Sequence, residues 1–245
     1  MELMSKEPLL YTALKDTVYA PLFQKEQDGR EQEPNQKTEG IVVLAGHGIY
    51  DREQKPLTWN SPENQIRIFH GIKIYLEVAR KKLGIQNPNH EELLQLIKGD
   101  RPFYLYLNGE FHEKGNSRNQ LPDMFEILDE TNFPPELVVA QNCVIDGKFN
   151  TLTQFKAIND DPVLGTAHHI TLVTSDYHAP RAAGTAELNL NPNIQFDIAP
   201  APQFVHEENI WKTLTQVGGE LNRMIDYSSK MPPDVAITLT RGSIL

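Results

Sequence analysis

Short apolar segments recur along the chain between stretches that have a helical pattern. Continuous apolar runs of about four to eight residues are typical of strands that are buried on both faces, as in a parallel sheet. The five segments that predict such strands are Ile41–Ala45, Phe103–Leu107, Leu137–Ala140, Ile170–Thr174 and Ile194–Ile198. A sixth segment, Val235–Thr240, alternates between apolar and polar residues, which predicts a half-exposed strand at an edge of the sheet.

Helical periodicity occupies the segments between these strands. In the clearest case, Ser61 suits a helix cap and Pro62 the first helical position, and apolar residues then recur at helical spacing. The predicted helices run from Ser61 to Gly84, from Asn89 to Gly99, from near Pro180, and from Ile210 to Met224.

Strands that alternate with helices are typical of the α/β class. We therefore predict a single three-layer, Rossmann-like α/β domain over residues 40–245, with a mostly parallel sheet of five to six strands. Residues 1–39 are predicted to be a leader and a polar linker. The linker, Gln24–Glu39, contains no apolar side chain that could offset the entropy of ordering it, and Lys6–Tyr19 is a weakly amphipathic helix candidate.

The composition excludes several functional classes. With 23 basic and 33 acidic residues the net charge is −10, so broad binding to nucleic acid or to an anionic membrane is not expected. The single cysteine, Cys143, excludes an internal disulfide framework and is expected to be a buried apolar residue. Because neither a secretory signal nor a run of about 18 apolar residues is present, we expect a cytoplasmic protein.

Polar residues are concentrated in the turns that follow the predicted strands. In open α/β sheets, ligands bind outside the carboxyl ends of the strands, near the point where the strand order reverses. The candidate residues are Gly46, His47 and Gly48 after the first strand, Asn108, Gly109 and Glu110 after the second, and Ser175 and Asp176 after the fourth. Because glycine permits close approach of the backbone to a ligand, we predict a small-molecule site there.

The position of Arg181 indicates the charge of that ligand. The chain enters a helix at Pro180, which places Arg181 in the first helical turn. A cation in that turn opposes the helix dipole unless an anion lies between them. We therefore predict an anionic ligand, or a carboxylate partner, beside Arg181.

Neither a metal site nor a hydrolase triad is predicted. His47, His112 and His178 follow three different strands, and no pair of metal ligands has helical or hairpin spacing. Ser175, Asp176 and His178 are too close in sequence for triad geometry, and the G-x-S-x-G elbow is absent.

Four motifs resemble the YdcF/SanA-like family of bacterial proteins, which have a Rossmann-like domain of unknown function. The motifs are VVLAGHG, LYLNGEF, NTLTQ over Asn150–Gln154, and VTSDYHAPRA, and the resemblance spans roughly Gly40 to Pro202. The resemblance implies that His178, Arg181, Asn150 and Thr151 line the site, and it makes an adenosine-type molecule such as S-adenosylmethionine a candidate ligand.

Two functions are compatible with these residues. In an enzyme, a transferase or a hydrolase of phosphate-bearing or adenosine-bearing substrates, His178 would be the general acid or base and Asp176 would orient it. The alternative is a non-catalytic binding or interaction module, because the family glutamate falls on Thr153 and the following asparagine on Gln154. These departures favour binding over turnover.

Overall fold

A computed structural model describes residues 35–46, 62–111, 120–175 and 178–201. One compact unit comprises the described residues up to 175 together with 185–201, and a second unit includes residues 178–184. Several predicted features lie outside the described residues: the leader helix, the helix over 210–224, the sixth strand, and the candidate site residues His47, Gly48 and Asp176.

Five parallel strands form the described sheet. They are β1 (Gly40–Leu44), β2 (Tyr104–Gly109), β3 (Val138–Asn142), β4 (His169–Ser175) and β5 (Gln195–Ala201). All five coincide with the apolar segments that predicted them. Their order is β3-β2-β1-β4-β5, which confirms the predicted three-layer, Rossmann-like α/β fold.

Four of the five strands, β2 to β5, extend further toward their carboxyl ends than the apolar runs do. Asn108 and Gly109, which we assigned to a turn, are the last two residues of β2 and pair with Gln141 and Asn142 of β3. Ser175 likewise ends β4. The assignment to turns was therefore wrong for these residues, because backbone pairing continues past the point where the side chains become polar.

Helices connect the strands. They are α1 (Pro62–Leu83), α2 (His90–Leu93), α3 (Gln120–Asp129), α4 (Thr151–Asp160) and α5 (Ala179–Asn189), with 3-10 turns at Leu94–Ile97, Pro135–Leu137 and Leu164–Thr166. Two predictions for α1 are confirmed: Pro62 is its first residue, and Gly84, with φ +69°, follows its end, whereas the predicted cap Ser61 lies outside the described residues. Asn89 and Glu92 form the predicted capping box of α2. None of the described helices is both long and apolar enough to cross a bilayer.

One face of the sheet packs on α1 and α3 to form the hydrophobic core. Leu105 and Leu107 of β2 point into this core, and the Tyr75 ring of α1 stacks on Phe103 with 4.6 Å between ring centroids. Because side chains alternate along a strand, Asn108 points to the opposite face, where its side-chain amide contacts α4.

The strand order reverses between β1 and β4. Chain connections from β1 lead toward β2 on one side, while β4 continues to β5 on the other. Ligands of doubly wound α/β proteins bind at such a switch point. In this protein the switch point lies at the carboxyl ends of β1 and β4.

Candidate functional site

Arg67 of α1 reaches the switch point and is almost completely buried, with 1% of its surface exposed. Its Nη1 donates to the carbonyl oxygen of Leu44 at 2.8 Å, and its Nε donates to the hydroxyl oxygen of Ser175 at 2.8 Å. Leu44 ends β1 and Ser175 ends β4. One guanidinium thus bridges the two strands between which the order reverses.

The Arg67 guanidinium lies directly against Gly46. A Cβ atom added to Gly46 would lie 2.5 Å from Nη1 and 2.7 Å from Nη2 of Arg67. The backbone N–H of Gly46 donates to Oδ1 of Asn64, one turn earlier in α1, at 3.1 Å. The glycine that we predicted as a ligand contact is therefore required at this position by the close approach of a buried cation.

The charge on Arg67 has no acidic counterpart in the described structure. Within the described ranges, no Asp or Glu side chain forms an ion pair with Arg67. Both of its hydrogen-bond acceptors there are neutral oxygens. Buried arginines are normally paired, because a charge that leaves water loses hydration that neutral acceptors replace only in part. Within the described ranges, the positive charge of Arg67 at the switch point is therefore not neutralised by an ion pair.

Side-chain amides of α3 and α4 also donate hydrogen bonds to the backbone carbonyls of the turn after β1. Nε2 of Gln120, the first residue of α3, donates to the Gly46 carbonyl at 2.9 Å. Nε2 of Gln154 in α4 donates to the carbonyls of Ala45 at 3.3 Å and Asn108 at 3.2 Å. The backbone at Ala45 and Gly46 is therefore positioned by side chains from α1, α3 and α4.

The end of β2 is also enclosed. Asn108 is fully buried, and its Nδ2 donates to Oε1 of Gln141 at 3.1 Å. A Cβ atom on Gly109 would lie 3.1 Å from the Leu121 side chain, so this glycine allows α3 to pack closely. Glu110 is buried, and its carbonyl accepts the backbone N–H groups of Gln120 and Leu121 at the start of α3.

Asn150 and Thr153 form a capping box at the start of α4. Oδ1 of Asn150 accepts the backbone N–H of Thr153 at 3.1 Å, and Oγ1 of Thr153 accepts the backbone N–H of Asn150 at 3.0 Å. Thr151, the first residue of α4, is buried. Asn150, predicted as a ligand contact, thus has a defined structural function as the helix cap.

The second unit contains the predicted catalytic histidine. His178 directly precedes α5, and Arg181 is the third residue of that helix, so the predicted place of Arg181 in a first helical turn is confirmed. Both side chains are largely buried, at 5% and 9% exposure. Their predicted functions, together with those of Asp176, His47 and Gly48, stay predictions.

The structure brings together only part of the predicted set. Gly46 and Ser175 both contact Arg67, and Asn108 is linked to the same turn through Gln154.

The sequence analysis did not predict three residues of this site: Arg67, Gln120 and Gln154. A signal for Arg67 was present: it lies three residues after Asn64 and immediately before Ile68, both of which are buried on α1. A charged residue on the apolar face of a helix marks a special site.

A separate histidine–aspartate pair links the amino-terminal end of β4 to β5. Nε2 of buried His169 lies 3.0 Å from Oδ2 of Asp197. The hydrogen bond from His169 holds the pKa of Asp197 below its usual value, although partial burial opposes this shift.

Cys143 is buried as predicted, and burial raises the pKa of its thiol. No group of three or more His, Cys, Asp or Glu in the described ranges is arranged to hold a metal ion.

Comparisons with known proteins identify no relative of this chain. No family model, no curated protein and no solved structure matches the chain.

Proposed function

We propose that this protein binds a small anionic or nucleotide-type ligand at the carboxyl ends of β1 and β4. The observation that carries the proposal is Arg67, a buried guanidinium at the switch point with no ion pair to a described carboxylate. A guanidinium has five N–H donors in a planar fork, which suits bidentate binding of phosphate or carboxylate.

The location and the surroundings support a small ligand. The site lies where doubly wound folds bind nucleotides, and Gly46 lets the Arg67 guanidinium approach the backbone there closely. The resemblance to the YdcF/SanA-like family keeps S-adenosylmethionine among the candidates. The net charge of −10 does not favour nucleic acid or an anionic membrane as a partner. The partner that we propose is therefore a small molecule, and the location that we propose is the cytoplasm.

Binding without turnover is the second candidate, and the start of α4 favours it. Thr153 stands where the family has a glutamate, and its hydroxyl is engaged by both the N–H and the carbonyl of Asn150. Gln154, at the next family position, uses its amide to hold the turn after β1. Neither residue supplies an acid or a base. A transferase or hydrolase would need His178, with Asp176 to orient it and Arg181 to hold the anion.

Calorimetric titration and thermal unfolding test the proposal directly. AMP, S-adenosylmethionine and S-adenosylhomocysteine are the probes, and a ligand at 100 times its Kd stabilises the protein by about 2.7 kcal/mol. We expect Arg67→Gln to abolish the stabilisation, and Arg67→Lys to weaken it, because lysine keeps the charge but not the fork. A stabilisation that Arg67→Gln leaves unchanged would show that the ligand binds elsewhere.

Arg101→Gln is the matched control. Arg101 is an exposed arginine that pairs with Glu39. The two residues lie just before the amino-terminal ends of β2 and β1, whereas the switch point is at the carboxyl ends, so Arg101→Gln removes one positive charge from the surface without touching the site. We expect ligand binding by Arg101→Gln to equal that of the wild type. The double variant His178→Ala with Arg181→Ala then separates the two candidates, since it would abolish turnover if the protein is an enzyme of the predicted kind.

A further inference from the structure

Two buried amide oxygens flank the turn after β1 and accept no hydrogen bond. They are Oδ1 of Asn108 and Oε1 of Gln120, and neither has a partner in the described part of the structure. Both residues are fully buried. Native proteins satisfy almost all buried polar atoms, and each exception calls for an explanation, such as a bound group or a catalytic function.

The orientation of the Asn108 amide is determined by a chain of hydrogen bonds. Oδ1 of Asp161 accepts the backbone N–H groups of Val163 and Leu164, at 2.9 Å each. Oδ2 of Asp161 accepts Nε2 of Gln141 at 2.9 Å, which leaves Oε1 of Gln141 to accept Nδ2 of Asn108 at 3.1 Å. An ionised carboxylate only accepts, so each amide in the chain must turn its oxygen away from Asp161.

The same argument applies to Gln120. Its Nε2 donates to the Gly46 carbonyl at 2.9 Å, and a carbonyl only accepts. Exchanging the oxygen and nitrogen of the Gln120 amide would therefore bring two acceptors together. The buried atoms of these two amides that lack a partner in the described structure are therefore both acceptors, and a group that complements them must be an N–H or O–H donor.

Arg67 and these acceptors lie on opposite sides of β1. Asn108 is the register partner of Leu44, so the backbones of these two residues are one strand spacing apart, about 4.8 Å, and Arg67 binds the Leu44 carbonyl oxygen. The Asn108 carbonyl accepts the backbone N–H of Ala45 at 2.9 Å, next to Gly46. The end of β1 thus has a cation on its β4 side and oriented acceptors on its β2 side.

We propose that the ligand of this site carries hydrogen-bond donors beside its anionic group, and that Asn108 and Gln120 bind those donors while Arg67 binds the anion. This inference rests on the proposed function. Two kinds of molecule have this chemistry: a nucleotide, with ribose hydroxyls near its phosphate, and an amino-acid-bearing molecule, with an ammonium beside its carboxylate. Asn108 and Gln120 determine specificity, because an anion without donors leaves both oxygens unpaired.

Two probe series, measured by isothermal calorimetry on the full chain, test the proposal. In the first series AMP is compared with 2′,3′-dideoxy-AMP, which keeps the phosphate and lacks the hydroxyls. In the second series S-adenosylhomocysteine is compared with its deaminated analogue, which keeps the carboxylate and lacks the ammonium. In the series that matches the ligand, we expect loss of the donors to weaken binding by about tenfold or more.

The variants Asn108→Leu and Gln120→Met complete the double-mutant cycles. Each replaces the amide with an apolar group of similar shape and removes the acceptor together with the N–H that donates to Gln141 or to Gly46. Each should reduce the difference between the paired probes to about twofold. Asn159→Leu is the control: the Asn159 amide is satisfied on both sides, by the Asn189 carbonyl at 2.7 Å and the Asn191 N–H at 2.8 Å. Asn159→Leu should lower the Tm and leave the difference between probes unchanged.

Each outcome is decisive. If the wild type binds a probe and its donor-free analogue equally well, the two oxygens are hydrated and this inference is wrong, although the proposed function stands. The same holds if both variants retain the full difference. If no probe of either series binds the wild type, the proposed function itself fails, and the inference fails with it.

Discussion

Gly46 and Arg67 are in contact at a point where no larger residue fits. The Cα of Gly46 faces the guanidinium so closely that a Cβ atom would overlap three of its atoms, Nη1, Nη2 and Cζ, at 2.5–2.8 Å. The guanidinium cannot simply move aside, because it is buried and donates to Leu44 and Ser175. The turn after β1 and the buried cation therefore depend on one another.

Gly46→Ala should destabilise the protein by about 1–3 kcal/mol, the usual cost of overpacking. The added methyl group must displace the Arg67 side chain from at least one of its two acceptors, so binding of an anionic ligand should weaken as well. Urea unfolding and calorimetric titration measure the two effects. Gly99→Ala is the control, since the nearest atom to a Cβ there is 4.0 Å away. Equal stability of the two variants would contradict the packing at Gly46.

The His169–Asp197 pair should make stability depend on pH in the acid range. The pKa of Asp197 is lower in the folded protein than its usual 3.8, first because of the hydrogen bond from His169. A depressed carboxyl pKa contributes stability above the unfolded value, and this stability is lost as the pH falls through the folded value. The contribution is therefore full above about pH 5 and disappears below the usual pKa.

Asp197→Asn isolates this contribution. Urea unfolding of the wild type and of the variant should differ most near neutral pH, and the difference should shrink as the pH falls through the acid range. The effect is small, because the Asp197 side chain is 42% exposed and solvent screens the pair. A difference that stays constant, or grows toward acid pH, would show that Asp197 does not contribute through its charge.

Cys143 should be inert in the native protein. Burial raises the pKa of its thiol, and only the thiolate reacts with alkylating or disulfide reagents. We expect 5,5′-dithiobis(2-nitrobenzoate) at about pH 8 to label Cys143 at least a hundredfold more slowly than it labels the urea-unfolded chain. Equally rapid labelling of the native protein would show that the end of β3 opens readily.

The five strands were predictable from sequence because each is buried on both faces and therefore reads as an unbroken apolar run. Helix α3 was not predicted, because Pro122 and Asp123 interrupt its apolar pattern within the first turn, where both are tolerated. The capping box at Asn89 was predictable because Asn89 and Glu92 have the local spacing of that motif. The one at Asn150 was not predicted, since its partner Thr153 is not the Glu or Gln of the motif.

The central feature of the site depends on contacts that are distant in sequence. Arg67 is buried because Leu44 and Ser175, which are 23 residues before it and 108 residues after it, supply its acceptors. No sequence pattern within α1 indicates the presence of these acceptors, because they lie on β1 and β4. The orientation of the Asn108 amide likewise depends on Gln141 and Asp161, 33 residues from Asn108 in the first case and a further 20 in the second. Sequence predicted the edge of the sheet but not which side chains meet there.

Thr153→Ala tests whether Thr153 has a structural function in the cap of α4 or contacts a ligand. Thr153→Ala removes the hydroxyl that pairs with the N–H and carbonyl of Asn150, while the Asn150 side chain still caps α4. We expect a loss of about 0.5–2 kcal/mol in the free energy of unfolding, with unchanged affinity for any ligand that binds the wild type.

Thr166→Ala is the matched control for this substitution. The Thr166 hydroxyl also donates to backbone carbonyls, of Pro162 and Val163, but these bonds are exposed, so the loss should stay below about 0.5 kcal/mol. Urea unfolding compares the two variants, and calorimetric titration follows the ligand. Weaker binding by Thr153→Ala at undiminished stability would mean that the hydroxyl contacts the ligand, and α4 would then belong to the binding site rather than to its support.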